Sequence, residues 1–415
     1  VGLLRRQIVL SALTANALRP VPGWRAGIPA FVTGMLTNEL APQLLALTAA
    51  DAATSVVRGR SSRAGLALAA ANGLALAHLT RQAARDERRL EQALTEAVGV
   101  GYADQLDDLP APTGARGHVR SLVNPFRILT PDIEVVRGIP YSEAGRRGHL
   151  DIYRSRHLQH DHAPVLLQVH GGAWTIGEKD RQALPLMTHL ASRGWICVAI
   201  NYRLAPRDPF PAQIIDVKRA IAWVREHIAD HGGDPDYLAI TGGSAGGHLA
   251  ALAALTPGDP TYQPGFEEAD TSVQVAVPHY GVYDLAGATG LRSAIGMRDR
   301  FLAPRIVQRT WEEDPEVFEA GSPILRITPD APDFFVIHGT HDTLVSVEQP
   351  RLFVSRLREV SKRSVAYAEL PGAQHAWDIF GSVRCTHVVR AVDRYLTWHW
   401  NGYLRERGRS PVRAS

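Results

Sequence analysis

The first hundred or so positions are rich in Ala and Leu, poor in the β-branched runs that signal strands, and punctuated by arginine clusters, a pattern that predicts helices. Within them, residues 64–80 are almost free of charge, between Arg58, Arg60 and Arg63 on one side and Arg81, Arg85, Arg88 and Arg89 on the other. This run is mostly Ala and Gly, includes Asn72 and His78, and falls short of the ~20 strongly apolar residues that a bilayer-spanning helix needs. Residues 1–106 are therefore expected to form a helical segment that packs on the rest of the chain or rests on a membrane surface, where the bordering arginines favour anionic headgroups.

Residues 107–125 carry Pro110, Pro112, Gly114 and Gly117 among polar residues and predict a linker. From residue 126 to 405 short β-rich runs alternate with helical stretches, the pattern of a mostly parallel sheet covered on both faces, and 406–415 is expected to be a disordered tail. The strand candidates are 133–136, 149–153, 165–170, 196–201, 237–241, 273–278, 334–338 and 365–370. Helices are expected at 182–192, 213–230, 245–255, 347–359 and 383–400.

Composition narrows this picture. With 45% hydrophobic and 21% charged residues the chain has the make-up of a folded protein rather than a disordered one. A net charge of +3, with arginines scattered rather than gathered, implies no nucleic-acid partner. Cys197 and Cys385 make no disulfide framework and no metal spacing, and Cys197 sits in an apolar run as a core residue. Arg5 and Arg6 are followed by a short, polar-interrupted stretch without a cleavage site, so the expectation is a cytoplasmic protein, with membrane association confined to the N-terminal segment.

The chemistry begins at Ala239-Ile240-Thr241-Gly242-Gly243-Ser244-Ala245-Gly246-Gly247, an apolar strand entering an alanine-rich helix through Gly-x-Ser-x-Gly. Such a turn strains the serine backbone, needs glycines beside it, and lifts the hydroxyl above the sheet at the positive end of a helix. Ser244 is the candidate nucleophile. Upstream, a buried strand ends in His170-Gly171-Gly172-Ala173-Trp174, where adjacent glycines let backbone N–H groups converge. The N–H groups of Gly172, Ala173 and Ala245 are the candidate oxyanion hole, and His170 reads as a structural histidine.

In this arrangement the chain order is Ser, acid, His, with the last two on loops after late strands. Asp342 follows the strand ending at His338, and His375 lies on the loop after the strand ending at Leu370. His338, His341 and His387 are rivals for the base, and Asp330, Asp333 and Asp378 are alternative carboxylates.

From Val165 to Trp377 the chain resembles the hormone-sensitive-lipase-like carboxylesterases of bacteria, especially actinobacterial and mycobacterial members. Besides the serine turn, the resemblance rests on Asn201-Tyr202-Arg203-Leu204-Ala205-Pro206, Pro209-Phe210-Pro211-Ala212, Asp216 and Gly232-Gly233-Asp234-Pro235. It implies the α/β-hydrolase fold with an eight-stranded sheet, no cofactor and hydrolysis of a small-molecule ester. Two positions depart from the family: Ala173-Trp174 stand where a third glycine is common, and Gly243 where Asp often precedes the nucleophile. The Trp-ending version is similar to the oxyanion motif of kynurenine formamidases, which keeps an arylformamidase-type activity open beside the carboxylesterase. A non-catalytic ligand-binding protein of the same fold is the third reading.

More than fifty residues separate the strands ending at Pro278 and beginning at Phe334. They are expected to fold partly over Ser244, with Tyr280, Tyr283, Phe301, Trp311 and Phe318 as pocket or core residues and Trp174 as a substrate-binding residue, the aromatic nearest the site.

Overall fold

The structure, a computed structural model, describes residues 2–21, 23–106, 124–126, 128–158 and 161–409. The expected linker at 107–125 therefore lies outside the described residues except for Asn124 and Pro125, as does the tail beyond residue 409.

Eight strands form one sheet: β1 (Ile133–Pro140), β2 (His149–Ser155), β3 (Ala163–Val169), β4 (Ile196–Ile200), β5 (Gly233–Gly243), β6 (Val275–His279), β7 (Asp333–Gly339) and β8 (Val365–Leu370). Their order is β1-β2-β4-β3-β5-β6-β7-β8, with β2 antiparallel to both neighbours and every other pair parallel. Strands β3, β4, β6 and β7 are buried along their whole length, which is why they read as continuous apolar runs rather than alternating ones. Alternate residues still part company. Val165, Leu167 and Val169 enter one core, which includes the helix Ala245–Leu255, while Leu166 enters the other, which includes the C-terminal helix Val383–Glu406. That last helix runs to Glu406, into the stretch expected to be a tail.

The N-terminal segment is four helices, α1 (Leu3–Leu18), α2 (Trp24–Glu39), α3 (Ala41–Val57) and α4 (Arg63–Val98). The Ser62 side chain caps α4 by accepting the Gly65 N–H at 3.1 Å. The charge-poor run at 64–80 turns one face inward. Gly65, Ala69, Asn72, Leu76 and Leu79 are buried at helical spacing, and Leu76 and Leu79 pack with Ala17 of α1 and Ala41 of α3. Asn72 belongs to this face because its amide is satisfied there, donating to Gln7 O at 3.0 Å and accepting from Ser11 at 3.0 Å. Further along, Leu90, Ala93 and Leu94 of α4 join the core under the C-terminal helix.

A buried ion triad fixes the assembly. Arg384 of the C-terminal helix reaches Glu39 at the end of α2 and Asp86 of α4, the latter at 2.8 Å, and Ser382 donates to Glu39 at 2.6 Å. Among the described residues no single helix is long and apolar enough to cross a membrane. Ala26–Glu39 and Ala41–Val57 meet the length and composition only together, across a 76° bend.

Candidate active site

Ser244 stands between β5 and the helix Ala245–Leu255 with φ 58° and ψ −121°, the strained turn its flanking glycines predict. A Cβ on Gly242 would lie 2.4 Å from Gly246 O, and one on Gly246 would lie 2.0 Å from Val169 O, so neither position admits a side chain. From Tyr237 to Thr256 every residue but Ser244 is buried. The chain thus delivers one accessible group at the end of a fully packed strand. The Ser244 N–H is itself held, donating to His279 O at the end of β6 at 3.0 Å.

Because β3 pairs with β5, Val169 opposite Gly242, the loop after β3 lands beside the serine. A Cβ on Gly171 would lie 3.2 Å from that of Ser244. Gly172, Ala173 and Trp174 take positive φ in succession, 121°, 52° and 58°, and a Cβ on Gly172 would meet Ile176 O at 2.1 Å. Gln182 accepts the Gly171 N–H at 2.6 Å and steadies the loop. Among the described residues the N–H groups of Gly172, Ala173 and Ala245 donate to no protein acceptor.

Trp174 goes into the core, 3% exposed, and its indole N–H donates to Nδ1 of His248 at 3.2 Å. His248 in turn donates from Nε2 to Gly321 O at 2.7 Å, and burial lowers its pKa to about 4. His170 stacks on Tyr202 at 4.2 Å and bonds Gly171 O through Nδ1 at 2.8 Å, with burial again lowering its pKa to about 4. Tyr202 donates to His170 O at 2.8 Å, and Arg203 pairs with Asp216 at 2.7 Å, so the Asn201–Asp216 motif works as scaffolding behind the glycine loop.

Asp342 and His375 meet. Nδ1 of His375 donates to Asp342 Oδ2 at 2.6 Å, and the other carboxylate oxygen accepts the N–H groups of Leu344 at 2.9 Å and Val345 at 2.8 Å. Burial pushes the Asp342 pKa up, but the charge of His375 and hydrogen bonds from His338 and His375 outweigh it and hold the carboxyl well below the usual range. Gln374 braces both loops, its Oε1 accepting from Thr343 N at 2.8 Å and from His375 N at 3.0 Å.

The rivals find other places. His338 is fully buried, with Nε2 3.3 Å from the same Asp342 oxygen and 3.0 Å from Val345 O, a second histidine on one carboxylate. His341 bonds Ala17 O at 3.2 Å, and His387 lies 3.9 Å from Glu87. Asp333 pairs with Ser364 at 2.6 Å, and Asp378 pairs with His279 at 3.1 Å and with the Tyr280 hydroxyl.

Two residues at this site were not singled out beside the base. Tyr280 packs on the His375 ring at 4.6 Å, and Phe31 of α2 meets it edge-on at 5.6 Å. Tyr280 directly follows β6, beside the serine strand, so strand-exit position could have found it. Phe31 carries no motif at all. Of the other aromatics between β6 and β7, Tyr283 and Phe318 are core residues, and Trp311 lies under the Arg298 guanidinium at 4.7 Å. Among the described residues no group of three or more His, Cys, Asp or Glu side chains is placed to hold a metal ion.

A serine elbow, a glycine loop beside it and a buried Asp–His pair on the exits of the last two strands, β7 and β8, define the α/β-hydrolase class. Residues 150–357 match the BD-FAE family, and the chain belongs to it. The probable carboxylic ester hydrolase LipM of Mycobacterium tuberculosis is 46% identical over 95% of this chain and 93% of its own. Esterase LipQ of the same organism is 47% identical over 76% of this chain and 75% of its own. Among solved structures, the butyrate-bound esterase Est2 of Thermogutta terrifontis superposes with a TM-score of 0.55 at 26% identity, over 64% of this chain and 94% of that one.

Proposed function

We propose that the chain is a serine carboxylesterase that hydrolyses short- to medium-chain acyl esters through an acyl-enzyme. The observation that carries this reading is the 2.6 Å Asp342–His375 pair on the loops after β7 and β8, with Tyr280 packed on His375 and lying against Gly243 of the β5 elbow, in a chain whose relatives are named esterases. Est2 bound to butyrate supports a short acyl group.

In this mechanism Nδ1 of His375 is occupied by Asp342, leaving Nε2 to take the Ser244 proton as Oγ attacks the ester carbonyl. The N–H groups of Gly172, Ala173 and Ala245 receive the developing oxyanion, each donor being worth roughly 3 kcal/mol of barrier. His375 then protonates the departing alkoxide, and water repeats the sequence on the acyl-enzyme. Residues 126–405 form the catalytic domain and 1–106 the helical segment. The exposed Ile8, Val9, Ile28, Leu47, Val57 and Leu74 support a peripheral membrane contact by that segment, one that salt releases from the membrane pellet.

Wild-type protein is expected to hydrolyse p-nitrophenyl esters in preference to N-formylkynurenine, and to be labelled at Ser244 by a fluorophosphonate. Ser244→Ala loses both the turnover and the label. Full activity in that variant refutes the assignment, and a preference for the formamide moves the enzyme to the arylformamidase reading.

A further inference from the structure

We propose that Phe31 forms a wall of the substrate pocket on the leaving-group side, so that α2 selects the alcohol arm of the ester. This rests on the assignment of Ser244, Asp342 and His375 above. The face of α2 that carries Phe31 is built for close approach to the acid and base loops. Gly27, Phe31 and Gly34 share it by their spacing of four and three residues. A Cβ on Gly27 would lie 3.3 Å from Thr343 O, and one on Gly34 3.3 Å from Gln374 Nε2 and 3.2 Å from Asn16 Nδ2.

Thr343 Oγ1 donates to Gly27 O at 3.0 Å, on the loop of the acid. On the same loop His341 donates to Ala17 O of α1 at 3.2 Å. These contacts hold the helix directly on the loops of Asp342 and His375, with Phe31 between the two glycines. Its ring meets the His375 imidazole at 5.6 Å and 88°. Ala30 before it and Met35 one turn on are buried, whereas Phe31 keeps part of its surface open.

Chemistry then says which part of the substrate that surface faces. Nδ1 of His375 is taken by Asp342, so Nε2 must deliver a proton to the departing alkoxide oxygen, which places the alcohol arm within hydrogen-bond reach of the imidazole. An aromatic ring edge-on to that imidazole borders the same arm. The ligand class that fits is an ester of an apolar or aromatic alcohol.

The test compares alcohols at constant acyl group. With 1-naphthyl butyrate and ethyl butyrate, Phe31→Ala is expected to lower the ratio of kcat/KM values about tenfold, the worth of one aromatic contact, while Phe31→Trp keeps it. The ratio of p-nitrophenyl octanoate to p-nitrophenyl acetate, which varies only the acyl arm, is expected to hold within about twofold. Should Phe31→Ala not fold, Phe31→Leu reads the same ratios. An unchanged naphthyl-to-ethyl ratio, or equal changes in both series, overturns the role of Phe31 while fluorophosphonate labelling of Ser244 leaves the esterase reading intact. Absence of that label in wild-type protein overturns both.

Discussion

At the scale of single residues, the arrangement around Asp342 carries the most consequence. Its carboxylate is fully buried and receives two backbone N–H groups and two histidines, and of the two imidazoles the one of His375 packs against Tyr280 at the exit of β6. His338 acts through the acid. Its Nε2–H is shared between Asp342 and Val345 O, so it steadies the oxygen that in turn orients His375. His338→Leu is expected to lower kcat about tenfold with little change in KM, as steady-state kinetics on p-nitrophenyl butyrate would show.

His170 and His248 set a different expectation. Burial holds both near pKa 4 against an ordinary 6.5, so the unfolded chain binds protons that the folded chain refuses. Their contribution to stability is then constant above about pH 7 and falls as pH drops from 6.5 towards 4, by up to about 3 kcal/mol for each histidine, as urea melts at stepped pH would show. His248→Gln flattens part of that slope.

The strained turn at Ser244 and the contact of Asp342 with His375 were expected from the sequence because glycines and strand exits announce them. Chain order set His338 aside, since it precedes the acid, but that its ring would share the Asp342 carboxylate from within β7 was not legible, because only the fold brings it there.

At the scale of elements, the eight strands were legible because full burial writes apolar runs, and their ends shifted by a few residues where pairing continues past the apolar stretch. β5 begins at Gly233 rather than Tyr237 because Gly233 still pairs with Ala163. The helices of the N-terminal segment were legible in kind but not in partners. Residues 64–80 have the composition of a surface-lying helix, and what turns one face inward is Asn72, whose hydrogen bonds to Gln7 and Ser11 no local pattern reveals.

The Arg384 triad was equally hidden, since its carboxylates lie in helices far from it in sequence. Arg384→Met is expected to cost about 3–5 kcal/mol by stranding Glu39 and Asp86 in the interior, measurable by urea unfolding. Adding Glu39→Met and Asp86→Leu should recover most of it, because an apolar set of similar volume can replace a buried ionic one.

At the scale of the whole molecule, the helical segment has a small core of its own around Leu76 and Leu79, but the later turns of α4 belong to the interior of the sheet. Leu90 and Leu94 of α4 share a core with Leu370 of β8 and Val388 of the C-terminal helix. Thermal unfolding followed by far-ultraviolet circular dichroism and by tryptophan fluorescence is therefore expected to give coincident transitions. Two separated midpoints would show the segment melting alone.

The buried triad also has a consequence for synthesis. Glu39 and Arg384 are 345 positions apart, so a ribosome adding about 5–20 residues per second leaves α2 waiting roughly 20–70 seconds for its cation. Through that interval the face of α2 that will cover His375 has neither the base loop nor the C-terminal helix to rest on. A nascent chain in this state offers chaperones an apolar helix with an uncompensated carboxylate, and slow codons between α4 and β8 would lengthen that exposure.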